Sequence, residues 1–103
     1  MREKELLSIN PLLADRTRLA IIAALASAEE EMDFRTLVEG LSLTGGNLSV
    51  HASKLENAGL IRIEKKFVGK SPQTLYAITD AGRQAIRHYL ATLETVLHHS
   101  KGK

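Results

Sequence analysis

The stretch Thr44-Gly-Gly-Asn-Leu-Ser-Val-His-Ala-Ser-Lys-Leu-Glu-Asn-Ala-Gly-Leu60 runs directly into Ile61-Arg-Ile-Glu-Lys-Lys-Phe67, and the hydrophobic period changes at the junction. Before it, Leu48, Ala52, Leu55 and Ala58 or Leu60 recur at helical spacing. Thr44 is a residue type that caps a helix N-terminus, and Gly59 suits the left-handed residue at its other end. The spacing therefore predicts a helix over Thr44–Ala58. After the junction, Ile61, Ile63 and Phe67 alternate with Arg62, Glu64 and Lys66, which is strand spacing. Gly69-Lys70-Ser71-Pro72 is turn chemistry, and Thr74, Tyr76 and Ile78 alternate again. Gln73–Thr79 thus returns as the second strand of a hairpin with cations at its tip.

Upstream, Asp33 is placed to cap a helix over Phe34–Gly40, with Phe34, Leu37 and Val38 inward. Gly40 and Leu41-Ser42-Leu43 form the turn that joins it to the next helix. Asp15 caps a stronger helix, Arg16–Ser27, whose apolar face is Leu19, Ile22, Ala23 and Ala26, widened by Ile21 and Leu25. Asn10-Pro11 starts a single turn, Pro11–Leu13, and Met1–Ile9 reads as a short helix. Ala28–Met32 is a short connection with Glu29, Glu30 and Glu31 solvated. Downstream, Thr79 or Asp80 caps a last helix, Asp80–His99, about 30 Å long.

The chain has 103 residues, of which 44% are hydrophobic and 25% charged, so whole-chain disorder is excluded. The length fits one domain over residues 1–103. Cysteine is absent, which removes disulfides, thiolate zinc sites, iron–sulfur clusters and cysteine nucleophiles. The longest apolar run, Leu19–Ala26, is too short to cross a bilayer. Met1–Glu5 alternates charges and lacks a signal-peptide apolar segment. These features point to a cytoplasmic protein with no membrane partner. The net charge is only +2, yet residues 1–60 carry nine acidic against six basic side chains, and residues 61–103 carry eight basic against three acidic. Such asymmetry suggests a local anion-binding surface.

Two helices joined by a short turn and followed at once by a basic hairpin form a helix-turn-helix with a wing. The fold class expected is mainly α with a small β-hairpin, a winged core over residues 10–79 and a long C-terminal dimerisation helix over 80–99. The arrangement suits duplex DNA, because a recognition helix enters the major groove with its N-terminal residues near base edges. Gly45 and Gly46 allow close approach. Thr44, Gly46, Asn47, Ser49, Val50, His51, Ser53 and Lys54 form the exposed face of that helix, with Asn47 and His51 as base readers and Lys54 as a phosphate contact. The wing offers Lys65, Lys66, Lys70, Ser71 and Gln73 to the flanking backbone. Arg16, Arg18 and Arg35, near helix N-termini, are further backbone contacts.

The same residues carry a family resemblance. Asp15-Arg-Thr-Arg-Leu-Ala-Ile-Ile-Ala-Ala-Leu25 resembles the opening of ArsR- and MarR-like winged-helix regulators. Leu43–Ser49, His51 and Lys54-Leu-Glu-Asn-Ala-Gly-Leu60 resemble their recognition-helix segment. Lys65–Gly69, Pro72, Thr74-Leu-Tyr76 and Thr79-Asp-Ala-Gly-Arg83 resemble their wing and the entry to their last helix. The resemblance covers about residues 10–97 and implies a homodimeric prokaryotic transcriptional regulator that binds double-stranded DNA. It also implies dimer contacts through the N-terminal segment and the last helix. Two positions depart from the pattern: Ala52 stands where a larger aliphatic residue is usual, and Arg16 where Pro is common.

Ile86, Tyr89, Leu90, Leu93, Val96 and Leu97 form a stripe longer than a small core can cover. Together with Leu6, Leu7 and Ile9 they are the expected dimer interface. His88 and His99 give at most two ligands per chain where zinc wants about four, so solvated histidines are the better reading, with His98-His99 at most an adventitious pair, and no metal or cofactor is expected. No catalytic constellation is present, and an enzyme is not expected. The rival reading is a winged-helix module used only for protein–protein contact. It predicts an apolar or neutral exposed recognition face, whereas Asn47, Ser49, His51, Ser53 and Lys54 are polar, Val50 is the lone exception, and the wing is cationic. An unidentified small-molecule effector between the last helix and the core, with Ala52 making room, remains open.

Overall fold

Side-chain caps set where the helices begin. The computed structural model describes residues 2–101, so Met1 of the expected first helix lies outside the described residues, as do the side chains of residues 2 and 99–101. A 3-10 helix over Arg2–Ser8 leads to a second over Pro11–Ala14, capped by Asn10, whose Oδ1 accepts from Leu12 N at 3.0 Å. Helix α1 spans Arg16–Ser27 and is capped by Asp15, which accepts from Arg18 N at 3.0 Å. A two-residue strand β1, Met32–Asp33, follows. Asp33 then caps α2, Phe34–Leu41, through a 2.7 Å bond from Thr36 N. Thr44 caps α3, Gly45–Asn57, accepting from Asn47 N at 3.0 Å. Strands β2, Ile61–Val68, and β3, Ser71–Ile78, form the hairpin, and α4 runs over Asp80–Lys101.

The connection after α1 and the hairpin turn differ from the sequence reading, and the cap of α4 resolves to one of its two candidates. The connection after α1 contains β1, which pairs antiparallel with β3 (Met32 with Tyr76, Asp33 with Leu75) and makes the sheet three-stranded in the order β1-β3-β2. A strand of two residues leaves no periodicity to detect. The hairpin turn shrinks to Gly69 and Lys70, with φ +65° at Gly69, and Ser71 and Pro72 join the strand. Pro72 is tolerated there because β1 reaches only to Leu75, so β3 is an edge beside it. Thr79, not Asp80, caps α4: its Oγ1 accepts from Gly82 N at 3.0 Å. The same hydroxyl donates to Gly59 O at 2.7 Å, which ties the start of α4 to the turn after α3.

The core gathers Leu13, Ile21, Ile22, Leu25, Leu37, Leu48, Ala52, Leu55, Leu60, Ile61, Tyr76 and Ile86. Within α1 the deepest residues are Ile21, Ile22 and Leu25, so the helix is rotated from the face centred on Ala23 and Ala26. Ala52 is fully buried, and its small side chain lets α3 lie close against its neighbours. The Phe34 ring lies over Gly45, where an added Cβ would meet the ring tip at 2.8 Å. The molecule extends 60 × 25 × 22 Å, and α4, with 22 residues, is about 33 Å long. Among the described residues no helix is long and apolar enough to cross a membrane.

Candidate nucleic-acid interface

Helix α3 is divided lengthwise. Leu48, Ala52 and Leu55 are fully buried, so the helix cannot roll. Gly46, Asn47, Ser49, Val50, Ser53 and Lys54 are then all exposed on its other side. Val50 is the apolar member of that face, and the rest present amide, hydroxyl and ammonium groups. The Thr44 hydroxyl is occupied by the cap and thereby orders the first turn, where Asn47 stands. At the far end Glu56 Oε2 accepts from Ile63 N at 3.2 Å, which couples α3 to the hairpin.

Two residues expected to face outward turn inward. His51 points back at the start of α1, with its Nδ1 3.1 Å from Arg18 Nη1 and 3.9 Å from Asp15 Oδ1. Its side chain is only 20% exposed. Arg18 is spent on the fold, for its Nε donates to Leu12 O at 2.8 Å. A guanidinium has donors alone, so His51 Nδ1 is the acceptor. These contacts pin α3 to the α1 cap. The Arg18 backbone N–H holds the Asp15 carboxyl below its ordinary pKa, with the Arg18 charge adding to it. The sequence places His51 on the helix but does not reveal a partner 33 residues away.

The remaining cations are at the surface. Arg16 is exposed. Arg35, at the start of α2, pairs with Glu39 at 3.1 Å one turn on. On the hairpin Lys65, Lys70 and Ser71 are exposed, and Gln73, opposite Lys66, is half-buried. Lys66 approaches Glu31 at 3.7 Å, so Glu31 is not merely solvated but offsets one wing cation. Phe67, expected to alternate inward, is exposed with Val68 because the hairpin overruns the core. An open hollow of ~730 Å³ separates Asp33, Phe34 and Arg35 from Val68, Pro72 and Thr74.

The stripe along α4 also divides. Ile86 is buried in the chain's own core, so it is not free for a partner as expected, whereas Tyr89 and Ile9 pack against that core and are half-buried. The first turns of α4 lie over the core, and the stripe is used there. Leu93, Val96 and Leu6 are half-buried, whereas Leu7, Leu90 and Leu97 are exposed. The N-terminal 3-10 helix packs against α4, with Ser8 Oγ 3.0 Å from His88 Nε2. His88 is thus held by Ser8 rather than solvated alone, His98 is exposed, and the side chain of His99 lies outside the described residues.

Comparison with known proteins places these features among relatives. The sequence pattern of the winged helix DNA-binding domain family matches residues 17–97. An uncharacterised protein of Methanocaldococcus jannaschii is 38% identical over 69 residues, 67% of this chain and 75% of the relative. The structure of a transcriptional regulator homologue from Pyrococcus horikoshii OT3 superposes with a TM-score of 0.83 at 30% identity, covering 95% of each chain. A DNA complex of S. aureus MepR shares the fold at a TM-score of 0.72 and 14% identity, over 88% of this chain and 77% of that one.

Proposed function

The chain belongs to the winged helix DNA-binding domain family, and from that premise we propose that it is a transcriptional regulator acting on duplex DNA as a homodimer. The observation that carries the proposal is the division of α3, whose buried Leu48, Ala52 and Leu55 hold a polar face toward solvent beside a cationic hairpin. In this reading α3 enters the major groove, and Asn47, in its first turn, reads a base edge. Gly46 admits the backbone closely, while Ser49, Ser53 and Lys54 reach phosphates. Lys65, Lys66 and Lys70 hold the flanking backbone, with Ser71 and Gln73 beside them. Arg16 and Arg35 extend the contact, whereas Arg18 and His51 act by fixing α3 in place. DNA-bound MepR shares this fold, which supports the same use of it here. The site of action is the cytoplasm, where the DNA is, and no chemical step is assigned.

Leu7, Leu90 and Leu97, with Leu93, Val96 and Leu6 beside them, supply the apolar surface for a second copy. A twofold pair would set the two α3 helices about 34 Å apart, one turn of DNA. A small-molecule effector would act from the hollow of ~540 Å³ between Leu7–Pro11 and the first turns of α4, next to that surface. The test is fluorescence anisotropy on duplex DNA from the gene's own upstream region, against a scrambled duplex, at several salt concentrations. Preferential, salt-dependent binding with two chains per site is expected. Asn47→Ala should lose roughly 1–3 kcal/mol of that preference. No binding at low salt, where cation–phosphate attraction is greatest, would favour a protein-contact module instead.

A further inference from the structure

The hairpin ends in apolar side chains that its own fold leaves uncovered. Phe67 is 72% exposed and Val68 59%. Phe67 lies on the strand face that carries Ile61 and Ile63, but the last two rungs, Phe67 with Pro72 and Val68 with Ser71, project beyond the core. Pro72 is exposed as well, and Lys65, Lys66 and Lys70 surround the group. The hollow beside Val68 and Pro72 keeps the tip apart from α2. Across that hollow stands Phe34, whose ring abuts Gly45 where α3 begins, so tip and recognition helix lie along one continuous surface.

Scattered exposed apolar residues need no explanation. Here Phe, Val and Pro share the narrow end of a two-residue turn, where the hairpin's own charges are Lys65, Lys66 and Lys70, while Asp33 and Arg35 line the hollow beside it and Glu31 pairs with Lys66. Lysine is depleted in protein–protein interfaces, so the surround disfavours a protein partner. The combination fits the minor groove, which is walled by phosphates and which apolar side chains enter by parting a base step. We infer that the wing tip is a wedge: Phe67, with its cross-strand partner Pro72, enters the minor groove beside the site read by α3 and partly unstacks one base step. Lys65 and Lys70 hold the phosphates on either side. The inference rests on the reading of the chain as a duplex-DNA binder and adds a source of specificity to it. Pyrimidine–purine steps unstack most readily, so the flank should favour them although no side chain reads their edges.

The experiment uses the full chain and a 30-base-pair duplex enriched by it from a random pool. End-to-end energy transfer reports bending, and 2-aminopurine in the flanking step reports unstacking. The wild type should bend the duplex by roughly 20–90° and brighten the probe. Phe67→Ala should keep the same α3 site, lose the bend and the brightening, and bind about tenfold more weakly. Phe67→Leu should restore most of both signals. Replacing the flanking pyrimidine–purine step by an A-tract should weaken the wild type and leave Phe67→Ala unchanged. Equal bending and affinity in Phe67→Ala overturns the wedge while the DNA-binding reading stands. So does an effect of Phe67→Ala confined to sedimentation mass, which would make the tip a self-association surface. If the wild type enriches no duplex and binds none at low salt, the DNA-binding reading falls and the wedge with it.

Discussion

Gly82, in the first turn of α4, has no space for a side chain: a Cβ there would run into the carbonyl oxygen of Leu60 and crowd Ile78 at 2.8 Å. The obstacle is backbone, which cannot rotate aside. Gly82→Ala should therefore destabilise the chain by at least about 2 kcal/mol, read as a lower urea midpoint. Asp33 makes a different kind of residue-scale prediction. The Thr36 backbone N–H, aided by the Thr36 side chain, holds its carboxyl below the ordinary value of 3.8. A carboxyl with a lowered pKa in the folded state adds stability above its unfolded pKa, and that contribution is lost as pH falls through the folded value. The cap therefore weakens below about pH 4. Asp33→Asn keeps a capping oxygen and removes the titration, so the acid limb of its urea midpoint against pH should be flatter. The caps themselves were legible in the sequence, because Asp15, Asp33 and Thr44 each act within three residues of themselves. The inward turn of His51 was not, since it depends on where α1 crosses α3.

At the scale of elements, the hairpin and α3 should fail in distinguishable ways. Lys70 sits in the turn and is exposed, so Lys70→Ala should weaken binding to every duplex alike. It should also lower the magnitude of the salt slope, d log K against d log salt, by roughly one. Lys66 is partly offset by Glu31, 3.7 Å away at the surface. Surface pairs are individually weak, so Glu31→Gln should raise affinity only about two- to threefold at low salt, and less at high salt. Anisotropy titrations at matched salt check both. The hairpin itself was readable from its alternation, and the exposure of Phe67 was not. Alternation says which residues share a face, not how far the core extends beneath it. β1 escaped notice for a related reason, because its pairing with Tyr76 and Leu75 is set by sheet position rather than local pattern.

For the whole molecule, the question is what covers the outer half of α4. Leu90 and Leu97 are 57% and 62% exposed, while Ile86 on the same helix is buried at home. If that outer half meets a second copy, Leu90→Glu should yield monomers in sedimentation velocity without lowering the thermal midpoint of the isolated fold. Its binding to a two-half-site duplex should fall to the level of a single half-site, because linked sites act at high effective concentration. Equal mass and equal binding in this variant would remove α4 as the dimer surface. The long axis of 60 Å is consistent with a helix that reaches past the core it belongs to.

By itself the sequence determined the order and extent of the major elements, their caps, and the buried line Leu48–Ala52–Leu55 of α3. These are local quantities: hydrophobic period, cap chemistry and turn residues act over a few positions along the chain. It also carried the resemblance that the family match bears out. Only the tertiary structure decided that His51 and Arg18 lock together, that Thr79 bridges α4 to Gly59, and that Glu31 meets Lys66. It alone decided that Ile86 belongs to the core while Leu90 and Phe67 stand clear of it. Such outcomes depend on the distance between elements remote in sequence, and on where a core of finite size ends.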